Sequence, residues 1–244
     1  MPIRTTDFAP FAQRIKASGA QAVYVFLPGG PPNLGFVKAY NENGLRQAGI
    51  EFLGTAETDE FDLQKFGDAA LGLTTAFHYS AAHDSPANRT FAAAVAKVNK
   101  DAVLNYATAG AWDGMAVIHK MIEATGGKRD GEKAMAAIKG HKWESPRGPV
   151  SIDPNTRHIT QNVYLRVVEK GPGGALVNKE VQNFGPQIDH GAPICHIGQL
   201  AIQPGKGAGR CPCPLGRQRG GAPGQTGQIA IKVAVMLHVE IMQF

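Results

Sequence analysis

Three apolar runs, separated by helical patterns, constrain this chain more than any other feature. "AQAVYVFL" (20–27), "IEFLGT" (50–55) and "LGLTTAFHYS" (71–80) are of strand length. The first is apolar from Ala22 to Leu27, as in a strand buried on both faces. Ahead of it, Phe8, Phe11, Ala12 and Ile15 share a helical face, with Asp7 placed to cap that helix and Gly19 to stop it. Between the first two runs, Asn33 is expected to open a helix carrying Leu34, Val37 and Asn41 on one side and closing at Gly44. "DEFDLQKFG" reads as a short helix before the third run. Strand–helix alternation of this kind specifies an α/β fold, a doubly wound parallel sheet with right-handed crossovers. Ligands of such sheets sit beyond the carboxyl ends of the strands. Here those ends are Pro28-Gly29-Gly30, Thr55-Ala56-Glu57 and His78-Tyr79-Ser80.

After the third run the grammar changes. Ser85 is placed to cap a helix with Pro86 at its first position. "NYATAGAWDGMAVIHKMIEATGG" predicts a long helix burying Ala111, Met115, Ile118 and Ile122, and "GEKAMAAIKG" predicts a third. No buried strand is expected among these helices, so they have no sheet of their own to cover. The alternation of Ile159, Gln161, Val163, Leu165 and Val167, with a turn at Asp153-Pro154-Asn155-Thr156, predicts an antiparallel hairpin. "ESPRG" reads as another turn.

The formal charge of +5 is unevenly distributed. Residues 1–186 carry 20 basic and 18 acidic side chains, against 5 and 2 in 187–244. The body is therefore nearly neutral with no basic stripe, and a nucleic-acid partner is not expected. Cys195, Cys211 and Cys213 all fall in the last quarter. C-x-C without a second pair lacks the donors of a tetrahedral zinc site, and no cofactor is expected. The first ten residues contain no apolar core of an export signal. From Gly185 onward the composition turns to Gly, Pro and Arg, which predicts a poorly ordered tail, although 229–244 is strand-like.

Five segments in order carry a resemblance: "DFAPFAQRIKASGAQAVYVFLPGG", "FLGTAETDE…FGDAALGLTTAFHYS", "SPANRTFAAAVAK", "GAWDGMAVIHKMIEATGG" and "KWESPRGPVSIDPNTRHITQNVYLRVVEK". Together they resemble the C-terminal half of the branched-chain amino-acid type solute-binding proteins of ABC importers. The resemblance implies a type I periplasmic binding protein fold with an incomplete first lobe, as in a truncated copy. It divides the chain into part of the C-terminal lobe (1–79), helices of the other lobe (80–148), a returning hairpin (149–184) and a tail outside the family (185–244). It further implies a small-molecule ligand (an amino acid or an aromatic or aliphatic carboxylate), an ABC permease as partner, a periplasmic location and no catalysis. An α/β enzyme and a ligand-sensing regulatory module are the rival readings, because fold does not fix function.

The candidate ligand contacts are Gly29, Gly30, Thr55, Ala56, Glu57 and Tyr79. "PGGPPN" is either a tight turn or a set of backbone N–H groups for a ligand carboxylate. It is no phosphate loop, since no G-K-[ST] follows. In relatives that bind amino acids, the resemblance places an acid for the ligand ammonium at Ala56 or Glu57. If Ala56 holds that place, a ligand without an ammonium fits better. His78 and His83 have neither helical nor strand spacing and are not expected to hold a metal. Trp112 and Asp113 lie on the long helix, where an aromatic at that spacing is more often core than ligand platform.

Overall fold

The computed structural model describes residues 7–187. The expectations for the tail beyond Gln187, including its cysteines, lie outside the described residues.

Helix α1 (Ala9–Ala17) is followed by strand β1 (Ala22–Tyr24), α2 (Pro31–Glu42), β2 (Glu51–Gly54), α3 (Glu60–Leu63), a 3-10 helix (Gln64–Ala70) and β3 (Thr74–Phe77). The helices α4 (Pro86–Val98), α5 (Tyr106–Thr125) and α6 (Gly131–Ile138) come next. Strands β4 (Lys142–Ser145), β5 (Gly148–Ile152), β6 (Ile159–Lys170) and β7 (Leu176–Gln187) complete the described chain. The seven strands form one mixed sheet in the order β1-β2-β3-β6-β5-β4, with β7 also paired to β6. β1, β2 and β3 run parallel, and β6 joins β3 antiparallel.

Local chemistry accounts for most boundaries. Asp7 accepts the N–H of Ala9 at 3.0 Å at the start of α1, and Gly19 beyond its end has φ 70°. Ser85 caps α4 through the Asn88 N–H, with Pro86 following. Asn105 and Thr108 close a reciprocal capping box on α5. Asp153 gathers the N–H groups of Asn155 and Thr156 in the turn between β5 and β6.

Four expectations need correction. Helix α2 begins at Pro31, and Asn33 lies buried inside its first turn. A proline at the first position has its φ preset and lacks only a donor that the helix would leave unpaired, and Gly30 supplies the turn with φ 85°. β1 is half-buried, because β2 is its sole strand neighbour among the described residues. "KWES" forms β4, an extra strand paired with β5 across the Pro146-Arg147 turn. On α5 the residues expected inside, Ala111, Met115, Ile118 and Ile122, are exposed, and the buried ones are Ala109 and Asp113. The apolar stripe is real, but no layer packs on it among the described residues.

The main core lies on one face of the parallel strands. Phe8 and Ala12 of α1, Phe36, Val37 and Tyr40 of α2, Leu63 and Phe66 meet Phe52, Leu73 and Val168 there. Phe8 meets Phe36 edge-on at 5.9 Å and Tyr40 meets Phe52 at 5.6 Å, the geometry that aromatic quadrupoles favour. On the opposite face Leu53, Ala76 and Val163 gather only Ala22, Tyr24 and Phe184. All six are strand residues, so no helix contributes to that cluster among the described residues.

Candidate functional site

The carboxyl ends of β1, β2 and β3 converge on one rim, where loops 28–30, 55–59 and 78–83 meet the amino end of α5 and the start of β7. Buried Arg166 of β6 holds this rim from beneath. Its guanidinium donates to the carbonyl of Tyr79 at 2.5 Å, the carbonyl of Thr55 at 3.0 Å and the hydroxyl of Thr75. It also lies over the Phe77 ring, 5.0 Å from the centroid. The tips of β2 and β3 are thus fixed to one cation that the strand pattern of β6 gave no reason to single out.

The six candidate ligand contacts occupy different environments. Gly29 is exposed and Gly30 half-buried. The Gly30 N–H donates to Asp62 at 2.5 Å, so a carboxylate of the protein itself sits at the start of α2. Pro31 and Pro32 carry no N–H, which leaves this helix end few donors. Thr55 is buried, with its N–H bonded to Glu57 and its carbonyl to Arg166. Ala56 is half-exposed at the turn.

Glu57 is 1% exposed and turned inward. Its carboxylate accepts the N–H of Leu27 at 3.1 Å and the N–H of Thr55, tying the tips of β1 and β2 together. Burial, opposed by those hydrogen bonds, pushes its pKa up to about 6. Gly54 makes room for it, since a Cβ there would stand 2.7 Å from Glu57 Oε2. Tyr79 is fully buried against Phe91 and Ala109, and its hydroxyl meets Asn88 Oδ1 at 3.0 Å. Burial also raises its pKa.

The acids that follow Glu57 also accept from the protein. Asp59 accepts through Oδ1 from Phe61 N–H and from Asn105, the cap of α5, whereas its Oδ2 is buried without a hydrogen-bond partner among the described residues. Glu60 accepts from Ala81 N–H and Asn178 at 3.1 Å each, with its pKa raised chiefly by burial. Asp62 is shared between Gly30 and Lys65.

The two histidines do not face one another. His78 lies against Phe77 and Tyr106, whereas His83 Nδ1 is 2.8 Å from Glu180 on β7 and its ring packs on Tyr164. Asp113 is a hub that the sequence showed only as a residue of the long helix. It accepts from Trp143 Nε1, Ser145 Oγ and Arg147 Nε at 2.9, 2.7 and 3.0 Å, joining α5 to the β4–β5 hairpin. A cavity of about 420 Å³ lies elsewhere, at the amino ends of β2 and β3 beside Arg46, Glu51 and Leu165.

This rim lies at the carboxyl ends of the parallel strands, beside β6 and β7. The periplasmic binding protein family model matches residues 1–173. A Leu/Ile/Val-binding protein homolog of Brucella melitensis is 55% identical over 193 residues, 78% of this chain and 50% of that protein. A solute-binding protein of an ABC transporter from R. palustris, solved with 4-hydroxybenzoate, is 53% identical with TM-score 0.73, over 78% of this chain and 52% of that one. Another, from Rhodopseudomonas palustris BisB5 with 3,4-dihydroxybenzoic acid, is 44% identical with TM-score 0.69 over the same shares. The chain spans about half the length of the relatives it matches, and it belongs to the periplasmic binding protein family.

Proposed function

We propose that this chain supplies one wall of the ligand cleft of an ABC-importer solute-binding protein whose ligand is an aromatic carboxylate of the hydroxybenzoate class. One observation carries the choice of ligand. Glu57, the acid at the place where an ammonium-binding acid is expected, is turned inward and spent on the N–H groups of Leu27 and Thr55, and half-buried Ala56 stands at the tip of β2. That counts against branched-chain amino acids. The relatives solved with 4-hydroxybenzoate and 3,4-dihydroxybenzoic acid support the same reading.

Gly29, Gly30 and Ala56 would present backbone and small side chains to the ligand, while Thr55, Glu57 and Tyr79 act from behind the wall. The ligand would be captured between lobes, in the periplasm and without chemical turnover, and closure would be read by a permease. One wall alone forfeits much of the burial that small ligands need. Isothermal titration tests the proposal, using the chain alone and the chain co-expressed with the N-terminal half of a family member. The reconstituted protein is expected to bind 4-hydroxybenzoate at micromolar level and leucine far more weakly. Leucine binding as tight as that of the benzoate would overturn it.

A further inference from the structure

We infer that Glu57 is a positioning residue, a staple whose protonation state sets how closely the two cleft loops at 28–30 and 55–57 are held together. The inference rests on the ligand reading above only for its effect on affinity; the staple stands on geometry. The tips of β1 and β2 are parallel neighbours. Beyond the last backbone bond between them, Val25 N–H to Leu53 O at 2.8 Å, the Glu57 carboxylate takes over. One oxygen receives the N–H of Leu27 and the other the N–H of Thr55. The same residue's carbonyl receives the Asn33 side chain of α2 at 2.5 Å. One side chain and its own backbone therefore secure both loops and the helix between them.

An ionised carboxylate accepts at both oxygens, whereas a protonated one has turned one oxygen into a donor. A hydroxyl oxygen is a much weaker acceptor than a carboxylate oxygen, so the N–H that it faces is held less firmly. Protonation thus loosens one strand tip while keeping the other. Burial brings this titration up to about 6, within reach of a mildly acidic surrounding. The charged side chains on the elements packed here have other partners. Asp62 of α3 is bound to Gly30 and Lys65, Glu60 to Ala81 and Asn178, and Arg166 of β6 donates to the Thr55 carbonyl. The missing side chain at Gly54 fits the same account, because the carboxylate folds back over that residue.

The test follows the amide signals of Leu27 and Thr55 in the ¹⁵N-labelled full chain from pH 5 to 7.5, with 4-hydroxybenzoate titrated at both ends of the range into the same chain co-expressed with the N-terminal half of a family member. The two amides are expected to move together with one midpoint near pH 6, and to stay still in Glu57→Gln. Affinity is expected to be about fivefold tighter at pH 7.5 than at pH 5.5, a ratio that Glu57→Gln removes. The wild-type titration decides the matter even if that variant fails to fold. Amides that do not titrate, or that titrate with different midpoints, overturn the staple. Coupled titration with an affinity ratio unchanged by Glu57→Gln overturns the positioning role. No benzoate binding at either pH, with the coupled titration intact, overturns the ligand reading and upholds the staple.

Discussion

The region before His83 and the helical region after it use apolar residues in opposite ways. In the first, α1, α2 and the 3-10 helix close over three parallel strands, and Phe8, Phe36, Tyr40 and Phe52 meet ring to ring. In the second, α4, α5 and α6 total 41 residues but bury only Asn88, Phe91, Ala109, Asp113 and Ile138. Their sequences are no less amphipathic. Met115, Ile118 and Ile122 form a stripe at helical spacing, each about half exposed. An apolar stripe is a demand for a partner layer, and the strands of the first region satisfy such a demand where nothing described here satisfies the second. What α4–α6 have instead is polar anchorage, through Asn88, Asn105 and Asp113.

The largest effect that would break this contrast is expected from Arg166. Replacing it with Ala strips donors from the Thr55 and Tyr79 carbonyls and the Thr75 hydroxyl, all buried. A loss of about 4 kcal/mol is expected in urea unfolding, as for other buried charged networks. A loss under about 1 kcal/mol would show that the rim does not depend on it.

Asp113→Ala comes next. It leaves the buried Arg147 guanidinium without its carboxylate, at a cost of about 3 kcal/mol. Hydrogen exchange should show the opening confined to α5 and the β4–β5 hairpin while β1–β3 stay protected. Uniform loss of protection would mean that the two regions unfold as one.

The pH dependence separates them further. Glu57 has its folded pKa raised from 4.5 to about 6 because burying its charge costs more than the two N–H bonds return. Overall stability is therefore greatest below about pH 4.5 and falls as pH rises through 6, even though the ionised form holds the two strand tips more closely. The expected decline is about 2 kcal/mol, measured as urea midpoints at pH 4.5 and 7.5 and absent in Glu57→Gln. A decline that survives the substitution must come from another group.

The smallest effect is expected on the stripe itself. Met115→Ser and Ile118→Ser replace exposed side chains and should shift stability by no more than about 0.5 kcal/mol. They should also reduce self-association in sedimentation velocity, since exposed apolar patches favour association. A large stability loss would reveal that α5 is covered in solution.

What was legible in the sequence was local. Ser85-Pro86, Asp153 and the glycines at 19 and 30 act on neighbours a few residues away, so their types and spacing announce them. The positions of the rim loops followed from strand order alone. Arg166 and Asp113 were not legible, because their roles depend on partners far along the chain: Arg166 reaches Tyr79 and Thr55 over 87 and 111 residues. Glu57 was visible as an acid near the cleft, but its inward turn depends on Gly54 and on the N–H of Leu27 thirty residues earlier. The stripe of α5 misled for the converse reason. Its periodicity reports which side seeks burial and says nothing of whether a layer is there.

The placement of β6 beside β3 has a consequence for the chain during its synthesis. β3 ends at Phe77, and its antiparallel partner spans Ile159–Lys170. At roughly 5–20 residues per second, the free edge of β3 waits about 4–20 s after it is made before β6 exists to pair with it. Over that interval the edge of β3 has no partner, Arg166 is not yet beneath the strand tips and the contacts of Asn178 with Thr58 are unformed. Contacts this distant in sequence form slowly, so the time at which β6 and β7 arrive, rather than the quality of the core that precedes them, sets when this rim first exists.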